Sequence, residues 1–411
     1  MPRNKVNCAQ DKRGRQISTM SEYQYYEFVA VDQPLTSKQQ AELRKHSSRA
    51  TITASSFINE YHWGSFKGDA TAWMQQYFDA HVYSASWGSC CLLLRAPANA
   101  LDLSMLDACQ SCDNREWQDD QDAFNRSRYG DNYLLAWHFS DDTGENERFW
   151  SEDDGPDWML RLLPLRAELL RGDARPLYLG WLARLCAGQL DDEHVEPPVP
   201  AGLTELTPAQ QALAEFLVLD VDLLAAAASA SSELEPVSTA DHDRWLAAQS
   251  AHALQASVRL LLEGRAPEAE RSVRQRFRAW QAAQRPEQAP APRRQVAEIQ
   301  HIAQQIRQQR QQAERQAAAE AQARQQAARA IQLKALAADA ARVWKDIDTQ
   351  LNRGVASGYD QALQLTLALA EAMQHVERHA EFQHALNQLL TVHGKRRAWM
   401  ARLEKTKLLA R

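Results

Sequence analysis

The chain has no apolar run long enough to cross a bilayer. Of its 411 residues, the longest uninterrupted apolar stretches, such as Leu223 to Ala228, fall far short of the ~20 residues that a spanning helix needs. No basic segment followed by an apolar h-region opens it. A cytoplasmic protein without a membrane segment is expected. The six cysteines (Cys8, Cys90, Cys91, Cys109, Cys112 and Cys186) show no even disulfide framework, so they are read as reduced thiols. Several chemical signatures are absent as well. There is no GxxxxGK[ST] phosphate loop, no dinucleotide fingerprint, no GxSxG elbow and no EF-hand ligand spacing. No cofactor is expected. The net charge of -6 excludes a protein that is basic overall, while leaving local patches open.

What is present changes character along the chain. Residues 1–19 carry Lys5, Lys12, Arg13 and Arg15 with almost no apolar content, so they are expected to be disordered, with Met20 the expected true start. From Tyr23 to Val31 the run YQYYEFVAV is aromatic and β-branched at both parities, which predicts a strand covered on both faces. Thr36 is placed to cap a short helix through Leu43. TITASSFINEYHW, Thr51 to Trp63, reads as strand. Asp69 then caps a helix whose stripes are Trp73, Tyr77, Ala80 and Ser84, and Met74, Phe78 and Val82. Cys90 to Arg95 and Tyr133 to Phe139 read as further strands. The fold class expected for residues 20–161 is α+β, a mixed sheet with helices and acidic loops. Between Leu101 and Leu160, sixteen acidic residues face four arginines, a local balance of -12.

From Trp158 the pattern is helical. An all-α domain is expected over 162–284, with Thr207 capping and Pro208 at the first helical position, followed by a Pro-rich linker over 285–292. No Gly or Pro follows Pro292 until Gly354, which allows a single helix over 293–353, about 90 Å long at 1.5 Å per residue. Its heptad seam holds Arg310, Glu320, Arg324 and Lys334, a poor zipper, so a lone exposed helix and a loose homodimer (a coiled coil) stay open as alternatives. Residues 354–411 read as a helical hairpin resembling one tetratricopeptide unit, with a basic tail. The balance over 293–411 is +8, opposite in sign to the acidic block.

The candidate chemistry lies in NEYHWG with KGD, where Glu60, His62, Lys67 and Asp69 stand at a strand–loop–helix junction. Such a junction can set an acid, an imidazole and an ammonium beside free backbone N–H groups. The same residues also suit a plain turn, with Glu60 and His62 on one strand face, the glycines turning the chain and Asp69 capping. Cys109 and Cys112 have half of a zinc spacing and no second pair, so no metal is expected. His375, His379 and His384 are read as surface positions.

The strings YYEFVAVDQPLT (Tyr25 to Thr36), SSRATIT with FINEYHWGSFKGD (Ser47 to Asp69) and LRAELLRGDARPLYLGWLARLCAGQLDDEHVEPPVP (Leu165 to Pro200) resemble a family of uncharacterised bacterial proteins. The resemblance covers roughly Tyr23 to Ala227, and YDQALQL with AEFQHALNQLLTVHGK is similar to tails of the same family. It implies a bacterial, cytoplasmic protein and transfers no catalytic residue. The function expected is a non-enzymatic interaction or scaffold protein whose partner is another protein. Its aromatic first domain would bind one partner and its helical arm a second. The alternatives are an enzyme using Glu60, His62, Lys67 and Asp69, and nucleic-acid binding through the basic C-terminal arm. No reader motif supports the last.

Overall fold

The computed structural model describes residues 23–62, 64, 66–110, 122–140, 148, 157–234, 239–284, 293–406 and 408. The expected disordered start, the Pro-rich linker, Trp63, Cys112, most of the acidic block and the last basic residues lie outside the described residues. The chain forms two compact units, Met1–Arg307 and Gln308–Arg411.

The first unit opens with β1 (Gln24–Val29), α1 (Ser37–Arg44), β2 (Thr51–Ile52), β3 (Ser56–Tyr61), α2 (Ala70–Gln76), β4 (Ala80–Ala85), β5 (Cys90–Pro97), α3 (Leu103–Cys109), β6 (Phe124–Tyr129) and β7 (Asn132–Phe139). These strands make one sheet in the order β2-β3-β1-β4-β5-β7-β6. The α+β class matches expectation, but the sheet is not mixed: each of its strand pairings is antiparallel. Because side chains alternate, the register sorts them into two faces. Phe28, Phe57, Leu93, Leu134 and Ala136 lie on one, under Leu43 of α1 and Trp73 and Met74 of α2. Val82, Leu92, Leu94, Leu135 and Trp137 lie on the other, where the helices that follow cover them.

Local signals account for several ends. Thr36 and Gln39 form a reciprocal capping box on α1. Asp69 accepts from the Ala72 N–H at 3.0 Å to start α2. The expected helix continuing from Asp69 to Ser84 is corrected: α2 stops at Gln76, and Ala80–Ala85 is a strand between β1 and β5. The helical stripe written there is equally an alternation, and in a place paired on both sides the ladder hydrogen bonds decide for strand. Two elements of the sheet region had no expectation. One is α3, capped by Asp102. The other is β6, joined to β7 through Gly130 at φ +56°.

The helices continue as α4 (Asp157–Leu162), α5 (Pro164–Leu170), α6 (Arg175–Cys186), α7 (Pro208–Phe216), α8 (Val221–Ala228), α9 (Thr239–Ala247), α10 (Ala251–Leu262) and α11 (Ala266–Gln284). The helix expected over Thr239 to Leu262 is two, with Ser250 capping the second. In α6, Leu177 through Leu182 are all buried, as in a helix surrounded by protein. Gly180 makes that possible: a Cβ there would lie 2.5 Å from the Phe124 ring, so only glycine lets α6 settle on β6 and β7. Trp137 of β7 donates to the Pro176 carbonyl at 3.1 Å. One core therefore takes in residues on both sides of the boundary expected near Arg161.

Polar groups lock this core. Asp79, between α2 and β4, is 1% exposed and accepts from the Val31 and Asp32 N–H groups at 2.7 and 2.9 Å. Arg95 of β5 donates to it at 2.7 and 3.1 Å. Arg166 of α5 reaches Asp79 at 3.5 Å, grips Asp32 through two hydrogen bonds of 3.0 and 2.7 Å, and donates to the Arg95 carbonyl. Sheet and helix layers are thus tied by one network of two carboxylates and two guanidiniums.

The next helix, α12 (Val296–Ala338), begins in this core, with Val296, Ile299 and Ala303 buried in it. Arg294 donates to buried Glu196 at 2.8 and 2.6 Å, Tyr178 also donates to Glu196, and Arg307 pairs with Asp220 and with Asp222. The second unit holds α13 (Ala340–Asn352), α14 (Ala356–His375), α15 (His379–His393) and α16 (Arg397–Leu403) around Ile347, Leu351, Leu369, Phe382 and Trp399. The uninterrupted helix expected over 293–353 is corrected: it breaks at Asp339, whose φ of -97° and ψ of 20° are not helical. Leu333 and Ala337 are buried before the break and Val343, Ile347 and Leu351 after it. Between Gln308 and Arg329, α12 is exposed on all sides. His375, His379 and His384 are exposed, as expected.

Replacing Asp79 by Ala leaves Nε and Nη2 of Arg95 and two N–H groups without their acceptor, and Arg166 with Asp32 as its remaining carboxylate. It is expected to lower the unfolding free energy of the chain by about 3–5 kcal/mol in urea titrations. Burial opposes ionisation of Asp32, but the hydrogen bonds and charge of Arg166 hold its carboxyl below the usual aspartate value. A depressed carboxylate stabilises the fold above its unfolded value of ~3.9, and the contribution is lost as pH falls through the lower folded value. Asp32→Asn should remove that acid-limb loss from a pH series of melting curves.

Burial drives His81 down to about 3, while its Nδ1–H donates to the Glu27 carbonyl at 2.9 Å. The unfolded chain protonates this imidazole near pH ~6.5, so stability drains progressively below that pH and is unaffected above it. His81→Gln is expected to flatten the decline of the urea midpoint between about pH 6.5 and 4.

Candidate functional site

The four candidate residues come from the end of β3 and the start of α2, and the sheet stands between the two halves. Glu60 pairs across the ladder with Tyr25, and Ile58 with Glu27, so Glu60 lies on the face opposite Phe28 and Phe57. His62 follows on the same side, its ring 5.4 Å from that of Tyr23. α2, by contrast, packs Trp73 and Met74 onto Phe28 and Phe57. Asp69, capping α2, and the preceding Lys67 therefore belong to the other layer. Gly64 makes the turn between them at φ +86°, its carbonyl accepting from Gln24 at 3.1 Å.

The pairing expected within the NEYHWG–KGD string is thus split in two. His62, Lys67 and Asp69 are exposed and Glu60 is half-buried. The Asp69 carboxylate accepts from the helix N–H, as a cap does. The turn reading accounts for these positions.

What does gather beside Glu60 is a pair the sequence reading did not single out. Tyr25 Oη donates to the Glu27 carboxylate at 2.8 Å. Burial raises the Glu27 carboxyl above its usual range, against the hydrogen bond from Tyr25, and burial followed by the charge of Glu27 raises the Tyr25 phenol. The signal was available in principle: Tyr25 and Glu27 are two apart in a strand and so share a face. It was masked because YYEFVAV reads first as core. A tyrosine beside a carboxyl held protonated to higher pH can pass a proton, yet here each satisfies the other inside a sheet face.

The aromatic character of the first strands turns inward as well. Tyr26, Phe28, Phe57, Phe66, Trp73 and Phe78 contact one another ring to ring, with centroids 4.8–6.5 Å apart. These rings hold α1 and α2 on the sheet rather than forming an outward platform.

For metal, the described residues contain no group of three His, Cys, Asp or Glu side chains able to share an ion. Cys109 is wholly buried, burial raises its thiol, and Cys112 lies outside the described residues. Cys90 is also buried, its thiol pushed up to about 12 by burial despite the nearby Arg148, and it donates to the Phe216 carbonyl at 3.1 Å. Neither is a thiolate poised for chemistry. In the second unit, arginines meet acids: Arg329 with Glu371, Arg342 with Asp339 and Arg402 with Asp360, at 2.6, 2.8 and 2.6 Å. Among the described residues no helix is long and apolar enough to cross a membrane.

If Asp69 serves as a cap, Asp69→Ala should cost about 1 kcal/mol of stability and Asp69→Asn much less. His62→Ala and Lys67→Ala should each stay within about 0.5 kcal/mol of the parent chain in the same urea titration.

Set against protein-family models, curated proteins and solved structures, the chain matches none of them.

Proposed function

We propose that this chain is an interaction protein without turnover chemistry, and that its partner is another protein docking on α10. The observation that carries the reading is the outer face of that helix. Val258 and Leu261 are about half exposed, and Leu262 is 84% exposed. With half-buried Leu254 they recur at helical spacing and form one apolar stripe. The adjoining face is occupied: Ser257 is buried and accepts from Arg276 of α11 at 2.6 Å. α10 is therefore seated on one side and apolar on its free side, the pattern of a helix that receives a complementary apolar surface. A shallow cleft of about 490 Å³ lined by Leu203, Leu206, Val221 and Leu224 adds apolar surface elsewhere in the same unit.

The enzyme alternative draws less support, since Glu60 and His62 are separated by the sheet from Lys67 and Asp69. Nucleic-acid binding through the arm draws less support too, because Arg310, Arg329, Arg342 and Arg402 are each paired with an acid along α12 to α16.

The test is capture of partners from the protein's own cells by the full chain, beside a Val258→Asp, Leu262→Glu double variant. A protein retained by the parent and lost with the variant, at an unchanged melting temperature, supports the reading. Identical retention by both chains overturns it.

A further inference from the structure

We infer that the cleft between α11 and the α5–α6 turn is a binding site for a small phosphate-bearing anion. The cleft encloses about 230 Å³ and is lined by Arg271, Arg274 and Arg278 of α11 against Leu101, Leu170 and Gly172. The three arginines stand at i, i+3 and i+7, so one face of the helix delivers three guanidiniums to one place. The lining has a single acid, Asp102, and its carboxylate is already engaged by the Met105 N–H and the Ser104 hydroxyl at 3.0 and 2.9 Å.

Arg278 is the telling residue. Its guanidinium sits against Gly172, so close that a Cβ at this position would fall 1.6 Å from Nη1. Gly172 has φ +80°, a conformation that also favours glycine, and the turn thus reserves the space the arginine fills. Yet Nη2 of Arg278 is buried and makes no hydrogen bond among the described residues. A buried guanidinium nitrogen without an acceptor is costly, and like charges gathered around it add to the cost. Consistently, burial first and Arg274 second disfavour the charged form of Arg278, with Asp102 and Asp173 pulling the other way. Arg274 is held by Glu270 at 2.8 Å, which positions it at the rim without adding an acid to the cleft lining.

An anion resolves the whole arrangement. Guanidinium forks match the oxygens of a phosphoryl group, and one entering the cleft would meet the arginines that line it, with Arg278 turning its buried Nη2 toward the anion to gain the acceptor it lacks. A single carboxylate brings less charge than the site presents. The volume is below that of a pocket for a drug-sized ligand, which restricts the organic part to something small. The site lies apart from α10 and is independent of the docking proposal.

The experiment is calorimetric titration of the full chain with pyrophosphate and, separately, inorganic phosphate, each against sodium chloride at matched ionic strength. Parent, Arg278→Met and Arg274→Gln chains are compared. Saturable binding to the parent, weakened at least about tenfold in both variants, is the expected result, corresponding to loss of one charge-assisted contact. Arg278→Met should keep or raise the melting temperature without anion, since it removes an unsatisfied buried cation, and should no longer be stabilised by pyrophosphate. Absence of saturable binding by the parent, or equal affinity in the variants, overturns the site.

Discussion

The buried carboxylate of Asp79 is the constraint around which the first unit is arranged. A charge at 1% exposure persists only if its surroundings satisfy it, and three separate pieces of chain do so: two consecutive N–H groups after β1, Arg95 on β5 and Arg166 on α5. The three pieces belong to different parts of the sheet and helix layers, so the position of β1, β5 and α5 relative to one another is coupled through a single side chain. Arg166 extends the coupling to Asp32 and to the Arg95 carbonyl. Hydrophobic contacts across the same layers would tolerate small sliding; hydrogen bonds of 2.7 to 3.1 Å to one carboxylate do not.

The same logic recurs where α12 begins. The segment before it bonds with the chain near Glu196, and Arg294 satisfies that buried carboxylate while also donating to the Ala226 carbonyl at the end of α8. The helix leaves the apolar core after Ile306 and becomes polar and exposed. A composition of Ala, Gln, Arg and Glu sustains helix without needing a partner face, which is why that part of α12 holds no core residue. Apolar positions return at Leu333, and a second core forms around Ile347, Phe382 and Trp399.

Much of the element order was legible because caps and alternation are local. Thr36, Asp69 and Thr207 act as the caps their neighbours suggested, and Tyr133 to Phe139 is the strand its residues describe. The errors share one cause. Ala80 to Ala85 carries spacings that fit helix and strand alike, and only pairing with β1 and β5 selects the strand. FNRSRY lacks the apolar alternation of a strand because only its first two residues are buried and the rest run out toward solvent, yet as an edge strand it pairs fully with β7. Asp339 interrupts a run without Gly or Pro, and the buried residues on both sides of the interruption, Leu333 and Ile347 among them, share one core. The candidate residues divide for a related reason. Glu60, His62, Lys67 and Asp69 are close in sequence, but a strand and the helix that follows it belong to different layers.

The amino-acid sequence by itself determined what is short in range: which segments are strand or helix formers, where helices are capped, where glycine turns the chain and which stretches lack apolar residues to bury. Those properties depend on backbone sterics and on neighbours within one or two turns. Only the tertiary structure decided which face each strand turns inward, that Gly180 admits α6 to the sheet, that Asp79 and Glu196 find their arginines, and that three arginines of α11 line one cleft with Gly172. Such pairings join residues tens of positions apart. Their energy comes from desolvation and hydrogen-bond geometry, which exist only once the layers have packed.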